Sequence, residues 1–288
     1  MNRRKLHNLH GLKWNPFTPD IPTEGLWTSP QVDNFCHRVE NMVDDGGFAL
    51  IAGEPGNGKS VTLRLLAERF NSLPEIQVGV LSRPQSGLAD FYRELGDIFG
   101  VNLRPHNRWG GFKALRERWK AHAESHLLCP ILLIDEAQEM NSFVLSELRL
   151  LCSGNLDSEL YLTVILAGDG RLLDRLRQPD LLPLESRIRT RLLLEHTGPT
   201  ELLKALDHVL EQAGNRSLIE DSLKQTLVER AAGNFRVLMN VAGELLLLAT
   251  QKELSTIDER LFFSLYEERN ATLPKPRGRK RRNAGEGP

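Results

Sequence analysis

The stretch Gly53-Glu54-Pro55-Gly56-Asn57-Gly58-Lys59-Ser60 has the spacing G-x-x-x-x-G-K-S, and that spacing is suited to holding phosphate. Glycines let the backbone curl until several N–H groups face one phosphate. A helix starting at the loop's end, here through Val61, adds its own unpaired N–H groups and positive dipole end. Lys59 is placed to reach the β- and γ-phosphates of a nucleotide, and the Ser60 hydroxyl to join the shell of a Mg²⁺ ion. A second constellation, Asp135-Glu136, follows roughly 75 residues later, and its reading gains from being paired with that loop. Asp135 is placed to hold Mg²⁺, directly or through water, and Glu136 to polarise an attacking water as general base. An aspartate alone would fit nucleotide binding; the pair favours hydrolysis.

These residues need elements to position them. The apolar run Phe48–Ala52 before the loop reads as a strand, and Val61–Phe70 after it as a helix. Ile131–Ile134, fully apolar, reads as a strand buried on both faces of a parallel sheet. Asp135 and Glu136 therefore fall at its carboxyl end, the rim where open α/β sheets take ligands. Further strands are expected over 76–81, 160–167 and 191–195, and helices over 31–42 (Ser29 as N-cap, Pro30 in its first position), 87–99, 104–123, 142–152 and 171–177. Residues 1–30 are poor in periodicity and read as a strap, with turns at Asn15–Asp20. From Gly198 onward strand signals cease. Helices are expected over 200–213, 218–232, 235–252 and 258–269, the second opened by the capping box Ser217-Leu218-Ile219-Glu220. The expected class is α/β: a P-loop parallel sheet with helices on both faces, followed by an all-helical lid. The expected division is a strap at 1–29, a nucleotide-binding domain at 30–197, a helical lid at 198–270 and a basic tail at 271–288.

Bulk properties narrow the partners. Of 288 residues, 40% are hydrophobic, enough for a buried core. No apolar run approaches the roughly 20 residues of a bilayer span, and no apolar segment follows the basic start Met1–Lys5, so no membrane association is expected and a cytoplasmic protein is. Cys36, Cys129 and Cys152 read as ordinary thiols. His122, His126 and Cys129 have metal-like spacing but read better as helix surface than as ligands. The net charge of −1 hides a tail carrying Lys275, Arg277, Arg279, Lys280, Arg281 and Arg282 against Glu286, which points to an anionic polymer as partner. Residues 104–120 repeat the theme: Arg104, Arg108, Lys113, Arg116, Arg118 and Lys120 against Glu117, with Trp109, Phe112 and Trp119 interleaved. That segment reads as a DNA-facing surface or as a cationic helix face whose aromatics turn into the core.

The loop Gly53–Ser60, the Asp135-Glu136 pair, the strand between them and the trailing helices resemble an AAA+ ATPase over about residues 30–268. The resemblance implies ATP and Mg²⁺ as cofactors and a homo-oligomer, ring or filament. It implies that Arg187 in Ser186-Arg187-Ile188-Arg189, with Arg189 as second choice, completes the nucleotide site of a neighbouring subunit. It implies that Arg236, in Gly233-Asn234-Phe235-Arg236, contacts nucleotide from the lid. Asp169 stands nearest the position of the family's γ-phosphate sensor, where Asn, Thr or Ser is usual. Gly11-Leu12-Lys13-Trp14-Asn15-Pro16-Phe17, Leu166-Ala167-Gly168 and Pro183–Ile188 further resemble the ExeA/GspA group, which includes secretion-assembly ATPases and, close by, transposition helpers of the TniB, TnsC and MuB kind. Secretion members carry a membrane span and a cell-wall-binding part after the ATPase, and neither is seen up to Pro288. The expected role is a transposition helper that binds duplex DNA without strong sequence preference and engages a transposase or integrase; the alternative is a secretion-assembly ATPase.

Overall fold

The segment Gly47–Gly53 is apolar almost throughout because it is paired on both sides and covered on both faces. The computed structural model, which describes residues 3–102, 107–125, 128–154 and 158–272, begins with helices α1 (Arg3–His10) and α2 (Pro30–Glu40), then strand β1 (Gly47–Gly53) and helix α3 (Lys59–Asn71). Strand β2 (Ile76–Leu81), helices α4 (Leu88–Phe99) and α5 (Arg108–Ser125), strand β3 (Cys129–Ile134) and helix α6 (Ser142–Cys152) follow. Two-residue strands β4 (Ser153–Gly154) and β5 (Glu159–Leu160) lead to β6 (Thr163–Gly168), α7 (Gly170–Leu176), the single turn α8 (Leu182–Glu185) and β7 (Ile188–Leu194). The rest is helical: α9 (Pro199–Ala213), α10 (Asp221–Ala231), α11 (Phe235–Gln251) and α12 (Glu259–Thr272).

The main sheet is parallel in the order β2-β3-β6-β1-β7. Successive strand residues point to opposite faces, so each strand feeds two cores. Phe48, Leu50, Leu132, Ile134, Val164 and Leu166 pack with α4, α5 and α6. Ala49, Ile51, Ile131, Leu133, Ile165 and Ala167 pack with α2 and α3. The register pairs Ile134 with Leu166 and Ala52 with Gly168, so β1, β3 and β6 end on one rim. Among the described residues no helix is long and apolar enough to cross a membrane.

The strap is more ordered than its sequence announces. Residues 3–10 form a helix, and Leu6, Leu12, Phe17 and Ile21 enter a third core with Leu202, Leu206, Leu245 and Phe262 of the C-terminal helices. Backbone and side-chain bonds fix it there: Lys13 N–H to the Ala213 carbonyl at 2.8 Å, and Asn215 Nδ2 to the His10 carbonyl at 2.8 Å. Its other end lies on α3, where Arg64 donates to the carbonyls of Pro19 (2.9 Å) and Ile21. Leu12 has no solvent exposure. Leu12→Ala should therefore lower stability by about 2–5 kcal/mol, as a cavity left in a packed core does; a urea titration followed by circular dichroism reads this as a lower midpoint. An unchanged midpoint would mean that the strap adds nothing to that core.

Two local expectations fail for physical reasons. The capping box at Ser217–Glu220 does not form: Ser217 bonds back to Asn215 Oδ1. Leu218 and Ile219 instead pair with Ile257, Ile257 N–H donating to the Leu218 carbonyl at 2.8 Å, so α10 starts at Asp221. The last strand begins at Ile188, three residues early, because the alternation Ile188, Thr190, Leu192 is buried against β1. Ser29 does cap α2, accepting from Val32 N–H at 3.3 Å. Arg104, His126 and the basic tail Lys275–Arg282 lie outside the described residues.

Candidate nucleotide site

The loop between β1 and α3 depends on glycine at Gly56 (φ +93°) and Gly58 (φ +98°), backbone conformations that side chains disfavour. Gly58 is also the N-cap of α3 and offers no capping side chain, so the first N–H groups of the helix are not claimed by a cap. Lys59 is buried, 6% exposed, with Nζ donating to the carbonyls of Gly53 (2.7 Å) and Glu54 (3.2 Å). The loop is braced from β7: Asn57 Nδ2 donates to the Leu194 carbonyl at 3.1 Å. A Cβ on Gly53 would fall 2.5 Å from that same carbonyl oxygen. The result is a concave run of backbone donors with an ammonium group held beneath it.

The acidic pair arrives from β3. Ser60 Oγ donates to Asp135 Oδ2 at 2.6 Å, and Asp135 Oδ1 accepts Glu136 N–H at 2.9 Å. A hydroxyl and a carboxylate oxygen converging at the loop's end form an all-oxygen donor set of the sort Mg²⁺ takes alongside phosphate and water; Ser60 and Asp135 would hold it. Glu136 follows in the left-handed region (φ 52°, ψ 39°) and is exposed at the rim. Asp169 has other work. Its carboxylate caps α7, accepting Arg171 N–H at 2.9 Å, and pairs with the Arg171 guanidinium at 2.9 Å. That guanidinium holds the Asp169 carboxyl below the usual carboxylate range.

From the C-terminal helices, Asn234 and Arg236 reach the loop. Asn234 Nδ2 donates to the Pro55 carbonyl at 2.9 Å, while its Oδ1 caps α11 through the N–H groups of Arg236 and Val237. A Cβ on Gly56 would lie 2.4 Å from Asn234 Oδ1 and 2.9 Å from Arg236 Cβ. Arg236 thus stands beside the loop with an exposed side chain. Arg187 does not stand there. It precedes Ile188, which pairs with Phe48 near the start of β1, whereas Gly53 ends β1 opposite Leu194. Six residues of strand put Arg187 roughly 20 Å from the loop. Arg187 donates to the Pro183 carbonyl, and Arg189 pairs with Asp45 at 3.5 Å.

The aromatics of α5 divide. Trp119 is fully buried and edge-on to Phe99 (5.2 Å, 84°). Trp109 is 73% exposed, stacked on Phe112 (5.7 Å, 8°), whose ring lies 5.2 Å from the Arg116 guanidinium. Trp119 therefore turns into the core and Phe112 packs partly against it, while Trp109, Lys113, Arg118 and Lys120 are exposed.

Two residues beside the site carry no role in the sequence reading. Asn234 lies inside the quoted Gly-x-x-Arg pattern, and its capping chemistry before an apolar helix was the available signal. Gln138, 6% exposed, sits between Glu136 and β6; its signal was an amide two residues past the acidic pair.

The parallel sheet, the phosphate loop and the helices behind it form the P-loop AAA+ ATPase fold. Residues 42–176 match the family model described as AAA domain. The chain is 30% identical over 185 residues to general secretion pathway protein A of Aeromonas hydrophila, over 63% of this chain and 33% of that protein, so it spans about a third of that relative's length. Among solved structures it is similar to Cdc6p from Pyrobaculum aerophilum (TM-score 0.67, 16% identity, 84% of this chain and 67% of that one). It is also similar to the Aeropyrum pernix ORC1 protein in complex with DNA (0.63, 16%, 90% and 72%) and to the Thermotoga maritima RuvB Holliday junction branch migration motor (0.56, 17%, 88% and 73%).

Proposed function

We propose that the chain binds and hydrolyses ATP, that hydrolysis is completed between subunits, and that the resulting assembly binds duplex DNA as a transposition helper engaging a transposase or integrase. The observation that carries the ATPase reading is the convergence of Ser60 and Asp135 at 2.6 Å beside Glu136. Backbone N–H groups of residues 56–61 and Lys59 bind the phosphates, and Glu136 takes a proton from the attacking water. Ser60 and Asp135 would hold a Mg²⁺ ion, which would supply charge neutralisation at the phosphates. Arg236 contacts the same nucleotide from the lid. Arg187, too far from its own loop, serves the loop of a second copy and makes turnover depend on assembly.

DNA is favoured by the cationic, aromatic face of α5, where phosphate contacts give affinity without sequence readout. The likeness to a protein solved in complex with DNA agrees with it. The reading predicts that affinity for a random duplex rises with ATP over ADP and falls steeply with salt, as counterion release requires. Fluorescence anisotropy at several salt concentrations checks it. Trp109→Ala together with Lys113→Ala should weaken binding several-fold across all sequences. Negligible affinity at low salt in every nucleotide state would remove DNA as partner. The second reading, assembly of a secretion apparatus, is favoured by the similarity to general secretion pathway protein A, and that outcome would select it.

A further inference from the structure

We infer that Gln138 is the positioning residue that aims Glu136, taking the place of a polar side chain at the end of β6. The inference rests on the hydrolytic reading of Glu136 and adds to it the group that orients the base.

The geometry begins with two neighbouring strand ends. β3 and β6 are adjacent, and both finish at the rim. After Asp135 the chain turns at Glu136 into a short 3-10 turn, with Glu139 N–H donating to the Glu136 carbonyl at 2.9 Å. That turn folds Gln138 back into the gap between the strand ends. Its Nε2 donates to Glu136 Oε2, and its Oε1 accepts Asp169 N–H at 3.2 Å. Only this orientation of the amide matches donor to acceptor at both contacts. The residue is anchored again through its backbone: Arg175 Nη1 donates to the Gln138 carbonyl at 2.5 Å, and Arg175 Nη2 to Ser142 Oγ at 3.1 Å. The gap is sized to the amide, because a Cβ on Gly168 would come within 2.7 Å of Gln138 Oε1.

Chemistry explains why an amide serves here and Asp169 does not. Holding a carboxylate takes a hydrogen-bond donor. Asp169, ionised and committed to Arg171, is an acceptor only. Glu136 is exposed and on a flexible stem, so without Gln138 its carboxylate would sample several rotamers. With Gln138, one oxygen is fixed and the other is left to face water. The side-chain amide joins Glu136 to Asp169 N–H at the start of α7, and the Gln138 backbone carbonyl accepts from Arg175 of that helix, so a displacement of α7 would swing the base.

Gln138→Met keeps volume and removes both amide contacts. The prediction is a fall in kcat of about 10–100-fold, the scale expected when a reacting group is misplaced by an ångström, with KM for ATP and the affinity of a fluorescent ATP analogue unchanged within about threefold. Gln138→Asn, one methylene shorter, should recover part of the rate. In a Glu136→Gln background, Gln138→Met should add no further loss, because its effect passes through Glu136. An unchanged kcat in Gln138→Met overturns the inference, and so does an equal loss in both backgrounds, which would mark a structural role. If Glu136→Gln alone leaves turnover intact, the hydrolytic reading itself fails, a result separate from the other two.

Discussion

Glu136→Gln lowers ATP turnover by about 10²–10⁴-fold, the range that a positioned general base supplies, while nucleotide affinity stays within about threefold. The substitution suits the site. Its hydrogen bonds run from its own N–H to the Asp135 carboxylate, from Gln138 to its Oε2 and from Glu139 N–H to its carbonyl. An amide oxygen in its place still accepts from Gln138 Nε2, so the rim keeps its shape and loses only the proton acceptor. A variant that binds ATP and cannot discharge it should remain in the ATP-bound assembly. Steady-state phosphate release measures the first effect, and light scattering after gel filtration in ATP the second. Wild-type turnover in this variant would remove Glu136 from the mechanism.

Lys59→Met separates binding from chemistry. Methionine has similar length and an adaptable stem, so the buried shaft is replaced with little change in packing. What disappears is an ammonium group, 6% exposed and satisfied by the carbonyls of Gly53 and Glu54. Those carbonyls hold the charge in readiness without neutralising it, and phosphate oxygens would draw it outward as far stronger acceptors. Removing one buried, hydrogen-bonded charge from an interface costs about 2–5 kcal/mol, so affinity for ATP should fall by roughly 30- to 4,000-fold. Titration with a fluorescent ATP analogue checks this, and the contrast with Glu136→Gln is the informative part: one variant loses the ligand, the other keeps it. Affinity within threefold of wild type would show that backbone donors alone hold the phosphates.

Local spacing made the centre of the site legible. The loop is contiguous with the strand before it and the carboxylates with β3, and each constraint acts within a few residues. Arg236 was named through the resemblance alone; its place beside Gly56 comes from how α11 packs on the loop. What escaped depends on distant partners. Residues 3–10 gain their reason to be helical from Leu6 meeting the C-terminal core, which no local pattern shows. The capping signal at Ser217 was real chemistry outcompeted by pairing with Ile257. Trp109 and Trp119 stand ten residues apart on one helix and look alike in sequence; only the position of Phe99 on α4 decides that Trp119 turns inward. Gln138 needed the juxtaposition of β3 and β6, a product of strand order rather than of spacing.

The strap has a consequence for how the protein is made. Leu6, Leu12, Phe17 and Ile21 leave the ribosome well before Leu245 and Phe262, which belong to the same core. At about 5–20 residues per second, the gap between Leu12 and Leu245 is roughly ten to fifty seconds. Throughout that interval the sheet can form around β1 while four apolar side chains at its leading end wait for their partners. The helical end is thus sealed by residues made long before it. A fragment starting at Pro30 would carry the loop, the acidic pair and Arg236, and would still leave the C-terminal helices open on the side that Leu6, Leu12, Phe17 and Ile21 cover.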